Sequence, residues 1–287
     1  MQIFHTKGTK LAKISQKQFS MEREIQGLIE ANLQETFGLD FVKSEFNLHG
    51  FRIDTIAYDP ESRAFVILEY KNDRNFSVVD QGVAYLNLML NNKADFILEY
   101  NELFSSKPLK RKSIDWSQSR IIFIAPEFTI YQQYAIGFKD LGIQLWKVHK
   151  YSNGLVVLTE VKPPIVKESI NTIIKGNPAA RKISKEIKVY TEEDHLNRTA
   201  DLNKELYLEL KSKILAIGND IEVRPKKKYG SKLKLILSIE KDQMTDPSNK
   251  DRLTKGVTEK PEKRVFLTDP KDIPDILRLI EQAYEAS

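Results

Sequence analysis

Phe51-Arg-Ile-Asp-Thr-Ile-Ala-Tyr58 and Phe65-Val-Ile-Leu-Glu-Tyr-Lys71 are the two stretches whose reading decides the fold. Both are rich in β-branched and aromatic residues, and Asp59-Pro60-Glu61-Ser62 between them is a turn signal, so they read as a β-hairpin. Asp54, Glu69 and Lys71 interrupt these apolar runs. Charges are costly to bury there and rarely occur without a partner. Side chains alternate along a strand, which puts Phe65, Ile67, Glu69 and Lys71 on one side and Arg52, Asp54 and Ile56 on one side of the earlier strand. Pairing of the two strands lets Asp54 and Glu69 converge. Two acids and a lysine so placed are the parts needed to hold a divalent cation beside a phosphodiester.

Helical and extended segments surround this hairpin. Ile25, Leu28, Ile29 and Leu33 recur at helical spacing, so Glu22 to Phe37 reads as a helix with Gly38 as its stop. A strand is expected at 41–48, before the pair at 51–58 and 64–71. A helix begins at Ser77, where Ser77-Val-Val-Asp80 resembles a capping box, and runs through Asn91. Phe96–Tyr100, Arg120–Ala125 and Ile143–Val148 read as strands, and Thr129 caps a helix ending at Gly142. Strands in a meander, then strands alternating with helices, predict an α/β fold: a mixed sheet flanked by helices. Lys107 to Trp116 reads as an inserted loop. The polar stretch 163–190 reads as a linker between a first domain at 1–162 and a small α+β domain at 191–287. The latter is expected to hold one long helix over Asp194–Ile217, strands near 220–224 and 232–240, and a last helix from Ile273 to Tyr284.

A D/E-x-K tripeptide is weak evidence alone, and the chain has five, starting at Glu69, Glu160, Glu186, Glu209 and Asp269. Glu160-Val-Lys162 follows an apolar run but lacks an acid on an adjacent apolar strand at hairpin distance. Only Glu69-Tyr70-Lys71 has an upstream strand acid across a short turn, an upstream acidic helix and a polar helix directly behind it. The order Glu22, Asp54, Glu69-x-Lys71, Gln81-Gly-Val-Ala-Tyr85 resembles the PD-(D/E)xK nuclease superfamily, the restriction-endonuclease-like fold. Met21-Glu-Arg-Glu-Ile25 is similar to the first-helix motif of archaeal Holliday-junction resolvases. Gln81 and Tyr85 resemble the Q-x-x-x-Y element of the exonuclease branch that includes the RecB nuclease domain. Ile53 stands where the motif has proline, a departure that removes no ligand. The whole chain resembles a group of prokaryotic proteins that pair this domain with a small C-terminal domain of unassigned function.

The resemblance implies that Asp54 and Glu69 bind Mg²⁺ or Mn²⁺ with the carbonyl of Tyr70 as a further ligand, hard oxygen donors suited to such ions. The ion would neutralise phosphate charge and lower the pKa of a water. It gives Lys71 the task of orienting that water or stabilising the transition state. Glu22 reaches the site from its helix, with Glu24 as the rival, because only one of two positions about 200° apart can face the sheet. Gln81 and Tyr85, one turn apart on one helix face, position the water or the substrate phosphate. The plainer alternatives are a structural Glu69–Lys71 ion pair, a strand-end Asp54 paired with Arg52 or Lys71, helix-dipole charges at Glu22 and Glu24, a solvated Gln81 and a core Tyr85.

Composition narrows the class without naming it. Hydrophobic residues make up 41% of the 287 residues, and there is no cysteine, which removes disulfides and thiolate zinc sites. His5, His49, His149 and His195 lack metal-ligand spacing. Neither a signal peptide nor a transmembrane run is read, so no membrane partner and a cytoplasmic location are expected. The net charge is +5, and residues 162–287 carry all of the excess. Arg224-Pro-Lys-Lys-Lys-Tyr229 is a candidate nucleic-acid contact through Arg224, Lys226, Lys227 and Lys228, or else a solvated loop. The expected partner is nucleic acid, DNA in preference to RNA, and a homodimer is compatible with the sequence. The leading expectation is a metal-dependent nuclease acting in defence or repair. The alternative is a non-catalytic nucleic-acid-binding or protein-interaction module on the same fold. No Walker loop, dinucleotide-binding glycine motif or nucleophile elbow supports a small-molecule enzyme.

Overall fold

The computed structural model describes residues 2–73, 76–137, 141–162, 177–197, 201–218, 221, 233–238, 251–254, 262–267, 271 and 273–285. They fall into two compact units, Met1–Val189 and Tyr190–Ser287.

The first unit opens with a hairpin of β1 (Ile3–Lys7) and β2 (Lys10–Ile14), followed by the short β3 (Gln16–Lys17). Helices α1 (Glu22–Glu30) and α2 (Leu33–Phe37) lead into β4 (Asp40–Leu48), β5 (Phe51–Asp59) and β6 (Ala64–Tyr70). Then come α3 (Val78–Asn91), α4 (Lys93–Leu103), β7 (Arg120–Ala125), α5 (Ile130–Ala135), β8 (Ile143–Tyr151), β9 (Val156–Val161) and α6 (Pro178–Glu186). Seven strands form one mixed sheet in the order β3-β8-β7-β6-β5-β4, with β9 also paired to β8. The meander β4–β5–β6 is antiparallel, and β6, β7 and β8 run parallel.

Every residue of the central β6 is buried, as a strand covered on both faces must be. Its side chains alternate between two apolar layers. Phe65 and Ile67 join Leu86, Met89, Phe96 and Tyr100 of α3 and α4, while Val66, Leu68 and Tyr70 join Ile25, Ile29 and Leu33 of α1 and α2. The expected β5–β6 hairpin forms with Thr55 opposite Leu68 and Tyr58 opposite Phe65. Asp59 closes its turn by accepting the Glu61 and Ser62 N–H groups at 2.9 Å each, and it pairs with Arg120 on β7 at 2.9 Å. The fold class expected from sequence is the one observed.

Several elements differ from expectation. Phe96–Tyr100 is part of helix α4, not a strand: Phe96 and Tyr100, four apart, are buried against aromatics of β4, β5 and β6 while Leu98 between them is exposed. A five-residue apolar run cannot separate these alternatives by periodicity. The helix expected over 22–37 is broken in two, with Gly38 in the left-handed region (φ 65°) ending the second piece. The helix at Thr129 forms with the capping box of Thr129 and Gln132 but stops at Ala135. The alternation expected to hold Asp54 with Ile56 is interrupted: Ile53 packs in the same layer as Ile56, and Glu45, opposite Asp54, has φ 53°. Within the stretch expected as a linker, 163–176 lie outside the described residues, whereas α6 docks on α3 with Ala180, Ile183 and Ile187 in the core.

The second unit contains α7 (Glu192–Leu196), α8 (Asp201–Leu215), the antiparallel sheet β10-β12-β11 (Leu233–Ser238, Glu262–Leu267, Asp251–Thr254) and α9 (Ile273–Glu285). It is α+β, as expected, although 194–217 holds two helices rather than one. Leu206 and Leu210 of α8 pack against Ile273, Ile276, Leu279 and Ile280 of α9. The strand expected at 220–224 and the basic run Arg224, Lys226, Lys227 and Lys228 lie outside the described residues, Ile221 excepted. Among the described residues, no helix is long and apolar enough to cross a membrane.

Candidate active site

Strands β5 and β6 carry the candidate carboxylates side by side, and α1 and α3 close on them from opposite layers. Glu69 is 2% exposed, near the C-terminal end of β6, where it is paired with Phe123 of β7 one residue past the last β5 pair. Its Oε1 accepts from Lys71 Nζ at 2.9 Å and from Gln81 Nε2 at 2.7 Å. Its Oε2 is buried and has no hydrogen-bond partner among the described residues. Burial, then the Asp54 charge, push Glu69 up to about 7 against the pull of Lys71.

Asp54 is half-buried. Its Oδ2 accepts the Tyr70 N–H at 3.0 Å. Burial raises its pKa, opposed by that hydrogen bond and by Lys71. For Lys71 burial acts downward, but the charges and hydrogen bond of Glu69, with Asp54, outweigh it and the ammonium is held above its ordinary value. Tyr85 donates its hydroxyl to the Arg52 carbonyl at 2.9 Å and accepts from Gln81 Nε2 at 3.3 Å. Gln81 thus spans Tyr85 and Glu69, and Tyr85 acts through Gln81 rather than directly on the carboxylates. The Tyr70 side chain points into the opposite layer, where its hydroxyl lies 3.1 Å from Thr55 Oγ1. Only its main chain can serve the site.

The two helix acids separate cleanly. Glu22 Oε1 accepts the Asn72 N–H at 3.2 Å and lines a cleft of about 690 Å³ together with Asp54. Glu24 turns away to Lys150 and Ser20. The structure therefore brings together Glu22, Asp54, Glu69, Lys71, Gln81 and Tyr85. Two residues not anticipated from sequence belong with them. Gln26 is buried in the α1 layer and its Nε2 reaches the Asp54 carbonyl, Ser44 Oγ and Glu30 Oε1, each at 3.1 Å. Asn72 bonds both Glu22 and the Phe19 carbonyl. Glu22, Gln26 and Glu30 are spaced four apart, a polar line on a helix read only for its apolar one.

Among the described residues no three His, Asp or Glu side chains gather as a ready-made metal cage. The donors fit a hard ion differently: two carboxylates, one with an unsatisfied buried oxygen, and a strand-end carbonyl. Mg²⁺ is commonly held by one or two carboxylates while keeping several waters.

No family profile matches the chain. A Haemophilus influenzae protein described as uncharacterised is 42% identical over 264 residues, covering 87% of each chain. Among solved structures, a repair endonuclease from Pyrococcus abyssi has 16% identity and a TM-score of 0.28, covering 46% of this chain and 49% of its own. The EndoMS complex with double-stranded DNA has 16% identity and a TM-score of 0.27, with 46% and 47% covered. Pyrococcus furiosus SfsA in complex with Ca²⁺ has 14% identity and a TM-score of 0.28, with 54% and 78% covered. The chain spans about half the length of the first two. Scores this low carry no weight on what this chain does.

Proposed function

The chain belongs to the family of the Haemophilus influenzae protein, and from the site its own residues build we propose that it is a metal-dependent nuclease of PD-(D/E)xK type, hydrolysing phosphodiester bonds in DNA. One observation carries the reading. Glu69 is buried and bonded through one oxygen to Lys71 and Gln81, its other oxygen is buried with no side-chain hydrogen bond, and the Asp54 charge is near enough to raise its pKa. A buried carboxylate left half-paired costs stability, which makes a purely structural role a poor account of it.

Asp54, Glu69 and the Tyr70 carbonyl are the proposed ligands of Mg²⁺ or Mn²⁺. The bound ion would neutralise phosphate charge and bring a water's pKa toward neutrality. Lys71 holds a fixed positive charge where negative charge grows on the phosphate in the transition state. Gln81 fixes the orientation of Glu69, and Tyr85, tied to the Arg52 carbonyl, fixes Gln81. Glu22, on the cleft wall, accepts a proton or a water hydrogen bond on the α1 side.

The test is cleavage of linear, nicked, branched and single-stranded DNA with Mg²⁺ or Mn²⁺. Activity is expected for the wild type and a loss of at least a hundredfold in Asp54→Asn and Lys71→Ala. Undiminished cleavage in folded Asp54→Asn would refute the assignment. An inactive scaffold is the second reading. It would bind DNA with no response to metal.

A further inference from the structure

The N-terminal ribbon takes no part in the site just described. Strands β1 and β2 pair in full register from Ile3 opposite Ile14 to Lys7 opposite Lys10, around Gly8 at φ 62°. They form a two-stranded sheet of their own. Of residues 2–18 only Ile3 and Ile14 are half-buried, and Leu11 and Phe4 stand 66% and 41% exposed. A two-stranded hairpin without a packed face is at best marginally stable in water. This one exposes both faces.

Its charge is all of one sign, with Lys7 and Lys10 paired on one face and Lys13, opposite Phe4, on the other. Lys7, Lys10, Lys13 and Lys17 precede the first acid, Glu22. None of the four forms an ion pair among the described residues. Lys43, Lys71, Lys93, Lys147 and Lys150, around the sheet, are each paired with an acid. An exposed ribbon of unpaired lysines fits a polyanion. Five residues of strand extend about 17 Å, and the major groove of B-DNA, about 12 Å wide, admits a two-stranded β-ribbon.

The root of the ribbon leads to the site. Ser15 accepts from the Ser152 N–H, β3 pairs with β8, and the Phe19 carbonyl accepts from the side chain of Asn72, next to Lys71. The chain then enters α1 at Glu22.

We propose that the β1–β2 ribbon is a duplex-DNA arm, seated in the major groove with Lys7, Lys10 and Lys13 on the flanking phosphates. The choice of duplex DNA as the polyanion rests on the nuclease reading of the site.

The experiment is fluorescence anisotropy of the full chain with a short labelled DNA duplex in chelator, so that binding is read without cleavage. The Lys7→Ala/Lys10→Ala/Lys13→Ala variant is expected to bind at least tenfold more weakly at about 0.1 M salt. Its salt slope should fall by about 3, roughly one for each phosphate that a lysine no longer neutralises. Replacing the same three lysines by arginine should restore both, and Lys10→Glu alone should weaken binding. Unchanged affinity and slope in the alanine variant would overturn the proposal. So would an equal loss on an RNA duplex, whose deep, narrow major groove excludes side chains, or a loss confined to anionic lipid vesicles. The two readings fail separately. Lysine-dependent binding without any metal-dependent cleavage sinks the nuclease and spares the arm, and cleavage with lysine-independent affinity does the reverse.

Discussion

Glu69 is the residue on which site and stability meet. Its carboxyl is pushed from an ordinary 4.5 to about 7, first by burial and then by Asp54. A raised carboxyl pKa means the folded chain holds this proton more tightly than the unfolded chain. Metal-free stability should therefore fall as pH rises from about 4.5 through about 7, by up to about 3 kcal/mol from this group, then level off. Denaturant titrations across pH would measure it, and Glu69→Gln should lack this component. Saturating Mn²⁺ at pH 8 should offset the penalty, since the ion binds the ionised form. Tyr85→Phe removes the bond to the Arg52 carbonyl and should cost about 1 kcal/mol of stability, with a larger fall in kcat than in KM. Asp54, Glu69 and Lys71 were legible in the sequence because charge inside an apolar strand needs a reason. Gln26 and Asn72 were not, because a lone amide on a helix or after a strand gives no such signal.

Helix α3 carries Gln81 and Tyr85 to the sheet, and Gly82 sets how closely it sits. A Cβ at Gly82 would lie 2.3 Å from Ile143 Cδ1 and 3.0 Å from its Cγ1 on β8. Gly82→Ala gains helix propensity but forces the Ile143 side chain aside, so it should destabilise by about 1 kcal/mol net and lower activity by displacing Gln81 from Glu69. Ile143→Val removes the nearer atom, so the double variant should regain part of both losses, a coupling read by a double-mutant cycle. The β5–β6 hairpin, its turn and the buried β7 and β8 could be read from local chemistry, since their patterns are long or bounded by turn residues. Helix α4 could not. Phe96 and Tyr100 fit either period, and what makes them helical is burial against Phe46, Phe65 and Tyr58, partners distant in sequence. The ribbon β1–β2 escaped for the opposite reason: both its faces are exposed, so no alternation marks it.

For the whole molecule, α6 belongs to the unit that carries the site. Ala180, Ile183 and Ile187 are at most 1% exposed, against α3 and its neighbours. A chain ending at Val189 should fold cooperatively. One ending at Lys162 uncovers that face and should be destabilised by several kcal/mol or aggregate, as thermal unfolding and light scattering would register. The second unit has its own α8–α9 cluster, so the first should keep its metal response without it. The central claim, that Asp54 and Glu69 hold one hard divalent cation, meets its most direct test in calorimetric titration of the full chain with Mn²⁺ at pH 8. The account predicts a single saturable site that vanishes in folded Asp54→Asn. Heats no larger than dilution for the wild type, or an unaltered isotherm in the variant, would contradict it.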